Sequence, residues 1–275
     1  MQAERQTQSE LPQQTAAPIL TARDITIRFG GLTAVEDFNL EIQDRELIGL
    51  IGPNGAGKTT VFNILTGVYE ATSGSYSFNG EPMKKAATYT LIKKGMARTF
   101  QNIRLFKKLT VLQNVMVARN FKMKYGFLSG MLRLPSFWKE ERAVRQEAME
   151  LLAIFGLDKY AEYMADSLPY GQQRKLEMAR AMATGPKLLL LDEPAAGMNP
   201  KETEELMETI RLIRDRFGIA ILLIEHDMKL VLGVCERVVV LDHGKTIAAG
   251  DPLTVVNDPV VVKAYLGSDD EEEEA

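Results

Sequence analysis

Apolar and polar side chains alternate over residues 19–29. Leu20, Ile25, Ile27 and Phe29 stand against Thr21, Arg23, Thr26 and Arg28, the period of two that predicts a half-buried strand. After a Gly30-Gly31 turn, residues 38–42 alternate again. Asp44-Arg45 then turns the chain into Leu47-Ile48-Gly49-Leu50-Ile51, a continuous apolar run of the kind a fully buried strand requires. Ser73-Gly74 opens a further strand over residues 75–78, ended by Asn79-Gly80. The first third is therefore expected to be an antiparallel β layer around the start of a core.

From about residue 109 to 183 the pattern becomes helical. Val144, Ala148, Leu151 and Phe155 follow i, i+4, i+7, i+11, one apolar stripe. Residues 125–138, with Gly126, Gly130 and Pro135, predict a loop or irregular insert. The last third returns to strand and helix in alternation. Residues 188–191 read as a buried strand. Asn199-Pro200-x-Glu202 starts a helix, Leu206, Ile210, Ile213 and Phe217 give its buried stripe, and Gly218 ends it. Residues 219–224 form the next strand. Residues 238–241 and 246–248 form a hairpin around Asp242-His243-Gly244-Lys245, and Asp251-Pro252 and Asp258-Pro259 are two further helix starts. Alternating strands and helices predict an α/β chain with a mainly parallel core sheet, carrying an inserted helical subdomain at about residues 100–183.

The buried run at residues 47–51 leads into Gly52-Pro53-Asn54-Gly55-Ala56-Gly57-Lys58-Thr59-Thr60. This fits the G-x-x-x-x-G-K-[ST] phosphate-loop pattern at every fixed position. Val61, Ile64 and Leu65 follow at helical spacing, so the loop lies between a strand and a helix. The glycines let the backbone approach an anion closely. The unpaired amides of the helix start and its dipole favour phosphate. Lys58 supplies a point charge for β- and γ-phosphates, and the Thr59 hydroxyl is placed for Mg2+. The stretch predicts binding of ATP or GTP with magnesium.

Composition adds limits. Of 275 residues, 45% are hydrophobic and 25% charged, an ordinary globular balance for one or two domains. The single cysteine, Cys235, excludes an internal disulfide and, in an apolar stretch, reads as a core filler in a reducing, cytosolic compartment. No run approaches the ~18 apolar residues of a membrane span, and residues 1–17 are polar and resemble no signal peptide. The net charge of −4 is dominated by the six carboxylates of residues 269–274. Such a run reads as a solvated tail, and the remainder carries no basic surface that argues for nucleic acid.

Three later stretches bear on the same chemistry. Leu188-Leu189-Leu190-Leu191-Asp192-Glu193 delivers two carboxylates at the end of a buried strand, where an α/β sheet places its ligand chemistry. Asp192 is suited to hold Mg2+ through water, and Glu193 to polarise an attacking water as general base. His226 ends the strand before it; alone a structural histidine, after these motifs it is sited to contact a γ-phosphate. Leu168-Pro169-Tyr170-Gly171-Gln172 precedes a helix that runs to Gly185-Pro186, and its start is a second anion site. One chain needs only one, so the second suggests that two chains share nucleotide.

Taken together, these residues resemble the ATP-binding subunit of ATP-binding-cassette (ABC) transporters over about residues 18–266. Gly52 to Thr60 matches its Walker A motif and Leu188 to Glu193 its Walker B motif. Gln101 matches the Q-loop glutamine, His226 the switch histidine, Phe29 the aromatic that stacks on adenine, and Leu168 to Gln172 stands at the signature. Further phrases are similar to the ATPase of branched-chain amino-acid importers: Ala97-Arg98-Thr99-Phe100-Gln101-Asn102-Ile103-Arg104-Leu105-Phe106, Tyr170-Gly171-Gln172-Gln173-Arg174, Ala195-Ala196-Gly197-Met198-Asn199-Pro200, Ile224-Glu225-His226-Asp227-Met228 and Ala264-Tyr265-Leu266-Gly267. So is the insert between Asn120 and Trp138.

The resemblance implies a P-loop NTPase fold with a RecA-like core and ATP as nucleotide. It implies Mg2+ held by Thr59, Gln101 and Asp192, with Glu193, His226 and Gln101 in hydrolysis. It also implies a head-to-tail dimer with a second ABC ATPase, two membrane permeases and an extracytoplasmic solute-binding protein. The chain would then lie on the cytoplasmic face of the inner membrane, held there by the permeases. ATPases of urea, amide or lipopolysaccharide transporters share the core motifs, and a soluble non-transport ABC ATPase is a further alternative. One departure stands out. Pro169 and Tyr170 replace the serine and first glycine of the signature, and proline has neither hydroxyl nor amide hydrogen. Gly171, Gln172 and the helix dipole must then carry the contact to the partner's ATP. Asn199 stands where the family often has aspartate, and helix capping accounts for it.

Overall fold

A computed structural model describes residues 17–84, 87–119 and 135–266. Two sheets organise it. β1 (Leu20–Phe29), β2 (Leu32–Ile42), β4 (Ser73–Phe78) and β5 (Glu81–Pro82) form an antiparallel sheet in the order β2-β1-β4-β5. β3 (Leu47–Ile51), β6 (Met96–Arg98), β7 (Leu188–Asp192), β8 (Ala220–Ile224), β9 (Arg237–Asp242) and β10 (Lys245–Gly250) form the core sheet in the order β10-β9-β3-β8-β7-β6. Every pairing from β9 to β6 is parallel, and only the β9–β10 hairpin is antiparallel. The mainly parallel core and the N-terminal antiparallel layer are as the pattern predicts.

The apolar runs of β3, β7 and β8 do not alternate with polar residues because both faces of the core sheet are covered. Ile48, Leu50, Leu188, Leu190, Leu222 and Ile224 pack toward the antiparallel sheet and α1 (Lys58–Leu65). Their neighbours Leu47, Ile51, Leu189, Leu191, Ile221 and Leu223 pack toward the helices on the opposite face. All of these side chains are fully buried. At roughly 1.5–3 kcal/mol per buried large apolar side chain, this double-sided strand core is a main source of stability.

The remaining helices are α2 (Thr88–Lys94), α3 (Val111–Arg119), α4 (Pro135–Ile154), α5 (Tyr170–Ala183), α6 (Pro200–Phe217), α7 (Met228–Val234), α8 (Pro252–Val256) and α9 (Pro259–Leu266). α3, α4 and α5 lie in the connection between the adjacent strands β6 and β7. Val144, Ala148, Leu151 and Phe155 are buried as their spacing predicts. α6 starts as predicted. The Asn199 side chain accepts N–H bonds from Lys201 and Glu202, the Glu202 carboxylate accepts from Asn199 N–H, and Pro200 stands at the first turn. Asp251 likewise caps α8. Cys235 is buried and its thiol is pushed up to about 12 by burial, which fits an inert core position.

Three expectations change. The strict alternation of β1 breaks at a bulge between Ala22 and Ile25, where Asp24 has φ 49°. Past the bulge Thr26 is buried, bonding Asp37 through its hydroxyl, and Phe29 is exposed. Of the irregular stretch predicted over residues 125–138, residues 125–134 lie outside the described residues, as do residues 120–124 before it. Residues 135–138 are helical, because proline is accepted in a first turn whose N–H groups have no helical partner. Phe217, expected in the buried stripe of α6, is 42% exposed, since Gly218 ends the helix there in a left-handed cap.

Candidate active site

The core sheet brings distant motifs together because its parallel strands end on one edge. From that edge β3 delivers the phosphate loop, β8 delivers His226, β7 delivers Asp192 and Glu193, and β6 leads to Gln101. The loop curls around its own lysine: Lys58 Nζ donates to the carbonyls of Gly52 at 2.6 Å and Pro53 at 2.7 Å. Burial lowers the Lys58 pKa, and the nearby Glu193 carboxylate opposes that shift. Two glycines are required. A Cβ at Gly52 would lie 2.0 Å from the Leu241 carbonyl, and one at Gly57 2.8 Å from that of Ala34; both residues have positive φ, 145° and 102°. Gly55 is open to solvent, as are Asn54 and Thr59, whereas Pro53 and Ala56 are buried and Thr60 is half-buried.

β2 passes beside this loop at Ala34 and Val35. Phe29, at the nearby turn of the same β1–β2 hairpin where it pairs with Leu32, is 46% exposed, with Tyr69 packed against its edge at 5.3 Å. Its exposure leaves ring surface for a flat ligand. Tyr69, which the sequence pattern did not single out, supports that ring.

Gln101 and Glu193 meet: Gln101 Nε2 donates to Glu193 Oε2 at 2.8 Å. Glu193 takes a left-handed backbone with φ 46°, a conformation that costs a non-glycine residue on the order of 1 kcal/mol. Its amide donates to Ile224 O at 3.0 Å, and its carbonyl accepts from Ala196 N–H at 3.2 Å. Asp192 is buried and paired with Arg98 at 2.6 Å. The His226 side chain is 63% exposed, beside the buried Glu225 carboxylate.

Four residues with no motif of their own tie these groups together. Arg98 also donates to Asn63 Oδ1 on α1 and to Thr66 Oγ1 at its C-cap, and lies between the rings of Phe62 and Phe100. Arg174, buried, donates to the carbonyls of Phe100 and Gln101 and to the Tyr170 hydroxyl, and pairs with Glu177. Glu177 accepts the Arg104 N–H, and burial pushes its carboxyl up. Glu225 accepts three backbone N–H bonds. The signal for these was a charged residue inside an apolar stretch or beside a motif; the partner was not readable.

α5 begins at Tyr170, with Pro169 before it and no side-chain cap. Leu168 is buried. The Tyr170 ring lies 3.2 Å from the position of a Cβ on Gly197, and the Glu202 carboxylate 2.7 Å from that of one on Gly171. Gln172 Nε2 donates to the Tyr160 hydroxyl at 3.3 Å. The start of α5 is thus clamped to the loop of Gln101 through Arg174 and to the loop before α6 through Tyr170.

Among the described residues no group of three or more His, Cys, Asp or Glu forms a metal cage. The donors near the phosphate loop (a threonine hydroxyl, a carboxamide, one carboxylate) suit a hard cation that brings waters and phosphate oxygens of its own. Lys58→Ala removes the buried ammonium. With about 1.5–3 kcal/mol for a hydrogen bond to a charged group, ATP affinity is expected to fall about 10- to 100-fold by calorimetry. Unchanged affinity would contradict the role of the loop.

Comparison with known proteins places the chain in a family. The ABC transporter family model matches residues 35–196, more than half of the chain, and the branched-chain amino acid ATP-binding cassette transporter model matches residues 245–271. The chain is 45% identical to the high-affinity branched-chain amino acid transport ATP-binding protein BraF of Pseudomonas aeruginosa. It is 46% identical to LivG of Escherichia coli. Each match spans 91% of this chain and 98% of the relative. The crystal structure of the ADP conformation of MJ1267, an ATP-binding cassette of an ABC transporter, superposes with a TM-score of 0.80 at 29% identity, covering 92% of this chain and 100% of that one. Motifs, sheet order and full-length similarity lead to one conclusion: the chain belongs to the ATP-binding subunits of ABC transporters.

Proposed function

We propose that this chain hydrolyses ATP to energise import of branched-chain amino acids through partner permeases. The observation that carries the reading is the similarity to BraF and LivG along almost the whole of both chains, including the C-terminal segment matched by a branched-chain transporter model. The contact between Gln101 and Glu193 supports the hydrolytic part.

In this reading Phe29 stacks on adenine, the amides of residues 52–60 and Lys58 hold the phosphates, and Glu193 takes the proton of the attacking water. His226 contacts the terminal phosphate, and Gln101 orients Glu193 and the water. Thr59, Gln101 and Asp192 hold Mg2+, which when bound neutralises phosphate charge. Leu168, Pro169, Tyr170, Gly171 and Gln172 face the ATP of a second ABC subunit. Arg174 passes movement of the Gln101 loop to that helix.

No helix among the described residues is long and apolar enough to cross a membrane. In this reading membrane attachment, at the cytoplasmic face, is the task of two permeases, with a solute-binding protein delivering the amino acid on the other side. The test is purification of a tagged chain from membranes in mild detergent, followed by ATPase assays with binding protein. Two hydrophobic permeases, a second ATPase and stimulation by leucine-, isoleucine- or valine-loaded binding protein are expected. Recovery of the chain alone, or stimulation only by another solute, would overturn the proposal.

A further inference from the structure

Glu225 is 0% exposed and has no role in the chemistry above. Its Oε1 accepts the Ala195 N–H at 2.8 Å. Its Oε2 accepts the His226 N–H at 3.1 Å and the Asp227 N–H at 3.4 Å. Both oxygens are acceptors, the geometry of an ionised carboxylate. Burial raises its pKa, and the three N–H bonds oppose that shift. Ala195 stands two residues after Glu193, in the turn closed by the Ala196 N–H on the Glu193 carbonyl. One buried carboxylate therefore joins the loop that carries Glu193 to the loop that carries His226. A buried charge is costly, and the three N–H bonds that Glu225 accepts offset part of that cost. The same bonds also hold two reactive groups in register, where a displacement of about 1 Å can cost about 10²-fold in rate.

We propose that Glu225 is a positioning residue for hydrolysis, setting Glu193 and the left-handed backbone beneath it against His226. The proposal rests on Glu193 and His226 being the hydrolytic pair. Glu225→Gln keeps the shape but turns an acceptor into a donor, so either the Ala195 N–H or the His226 and Asp227 pair loses its partner. Glu225→Asp keeps the charge on a shorter stem.

The experiment compares full-length parent, Glu225→Gln, Glu225→Asp and Glu193→Gln chains for kcat and KM with MgATP, affinity for a fluorescent ATP analogue, and thermal melting. For Glu225→Gln, kcat is expected to fall about 10- to 100-fold with KM and analogue affinity within about two-fold. Glu225→Asp should recover part of kcat. Should the Gln chain not fold, the Asp chain carries the test through the same split of kcat from KM. Unchanged kcat in a folded Glu225 variant overturns the positioning role. So does a fall in kcat, affinity and melting temperature together, which marks a structural part only. Normal turnover by Glu193→Gln overturns instead the hydrolytic reading beneath it.

Discussion

The Glu193→Gln chain is expected to bind ATP as the parent does and to release phosphate about 10²–10⁴-fold more slowly, the range for loss of a general base. Glutamine keeps the volume and can still accept the Gln101 Nε2–H that now reaches Glu193 Oε2 at 2.8 Å. The turn at Glu193 is held by its backbone contacts to Ile224 and Ala196, which the substitution leaves alone. Only the proton-accepting oxygen is lost. Phosphate release by the purified transporter, beside ATP affinity of the same sample, gives the answer. In an assembly of two ATPases the slow variant should accumulate a closed, ATP-bound dimer. Turnover near the parent's would remove Glu193 from the base role.

The second large effect is on stability. Arg98→Ala is expected to lower the free energy of unfolding by about 3–5 kcal/mol, the range for breaking a buried ion pair from one side. Arg98 and Asp192 are 8% and 5% exposed at 2.6 Å, so the Asp192 carboxylate would be left buried without its counter-charge. The bonds to Asn63 and Thr66, which fasten α1 to β6, are lost as well. Arg98→Lys should not rescue fully, because one ammonium cannot reproduce a planar fork that reaches three partners. Denaturant unfolding is the measurement, and a loss below about 1 kcal/mol would show that Asp192 finds another partner. Because the same pair holds Asp192 at the end of β7, ATPase activity should fall with stability.

Sequence patterns read best where strand, loop and helix are contiguous. The phosphate loop, the Asp192-Glu193 pair and the Asn199 capping box each depend on residues within one turn or one strand end, so spacing alone exposes them. The double-sided burial of β3, β7 and β8 was likewise legible in their unbroken apolar runs. The bulge at Asp24 was not, because it is set by pairing with β2 and β4 rather than by the residues of β1. Ile25 and Ile27 keep the buried face past that bulge, and Phe29 leaves it only after a further register shift between Ile27 and Arg28, at the turn of the hairpin. The ion pair of Arg98 with Asp192 spans 94 positions and the bond of Gln101 to Glu193 spans 92. Neither leaves a periodic trace.

By itself, then, the sequence determined the α/β class, the phosphate loop with its lysine, the pair of acids at a strand end and the family resemblance. The first three rest on local backbone preferences and on apolar periodicity, which act over a few residues, and the resemblance rests on motifs matched residue by residue. Only the tertiary structure decided which buried charges meet. It joined Arg98 to Asp192, Arg174 to the loop of Gln101, and Glu225 to the turn of Glu193. The reason is physical: a charge removed from water must find its partners wherever the folded sheet brings them, and parallel strand order, not distance along the chain, sets that place.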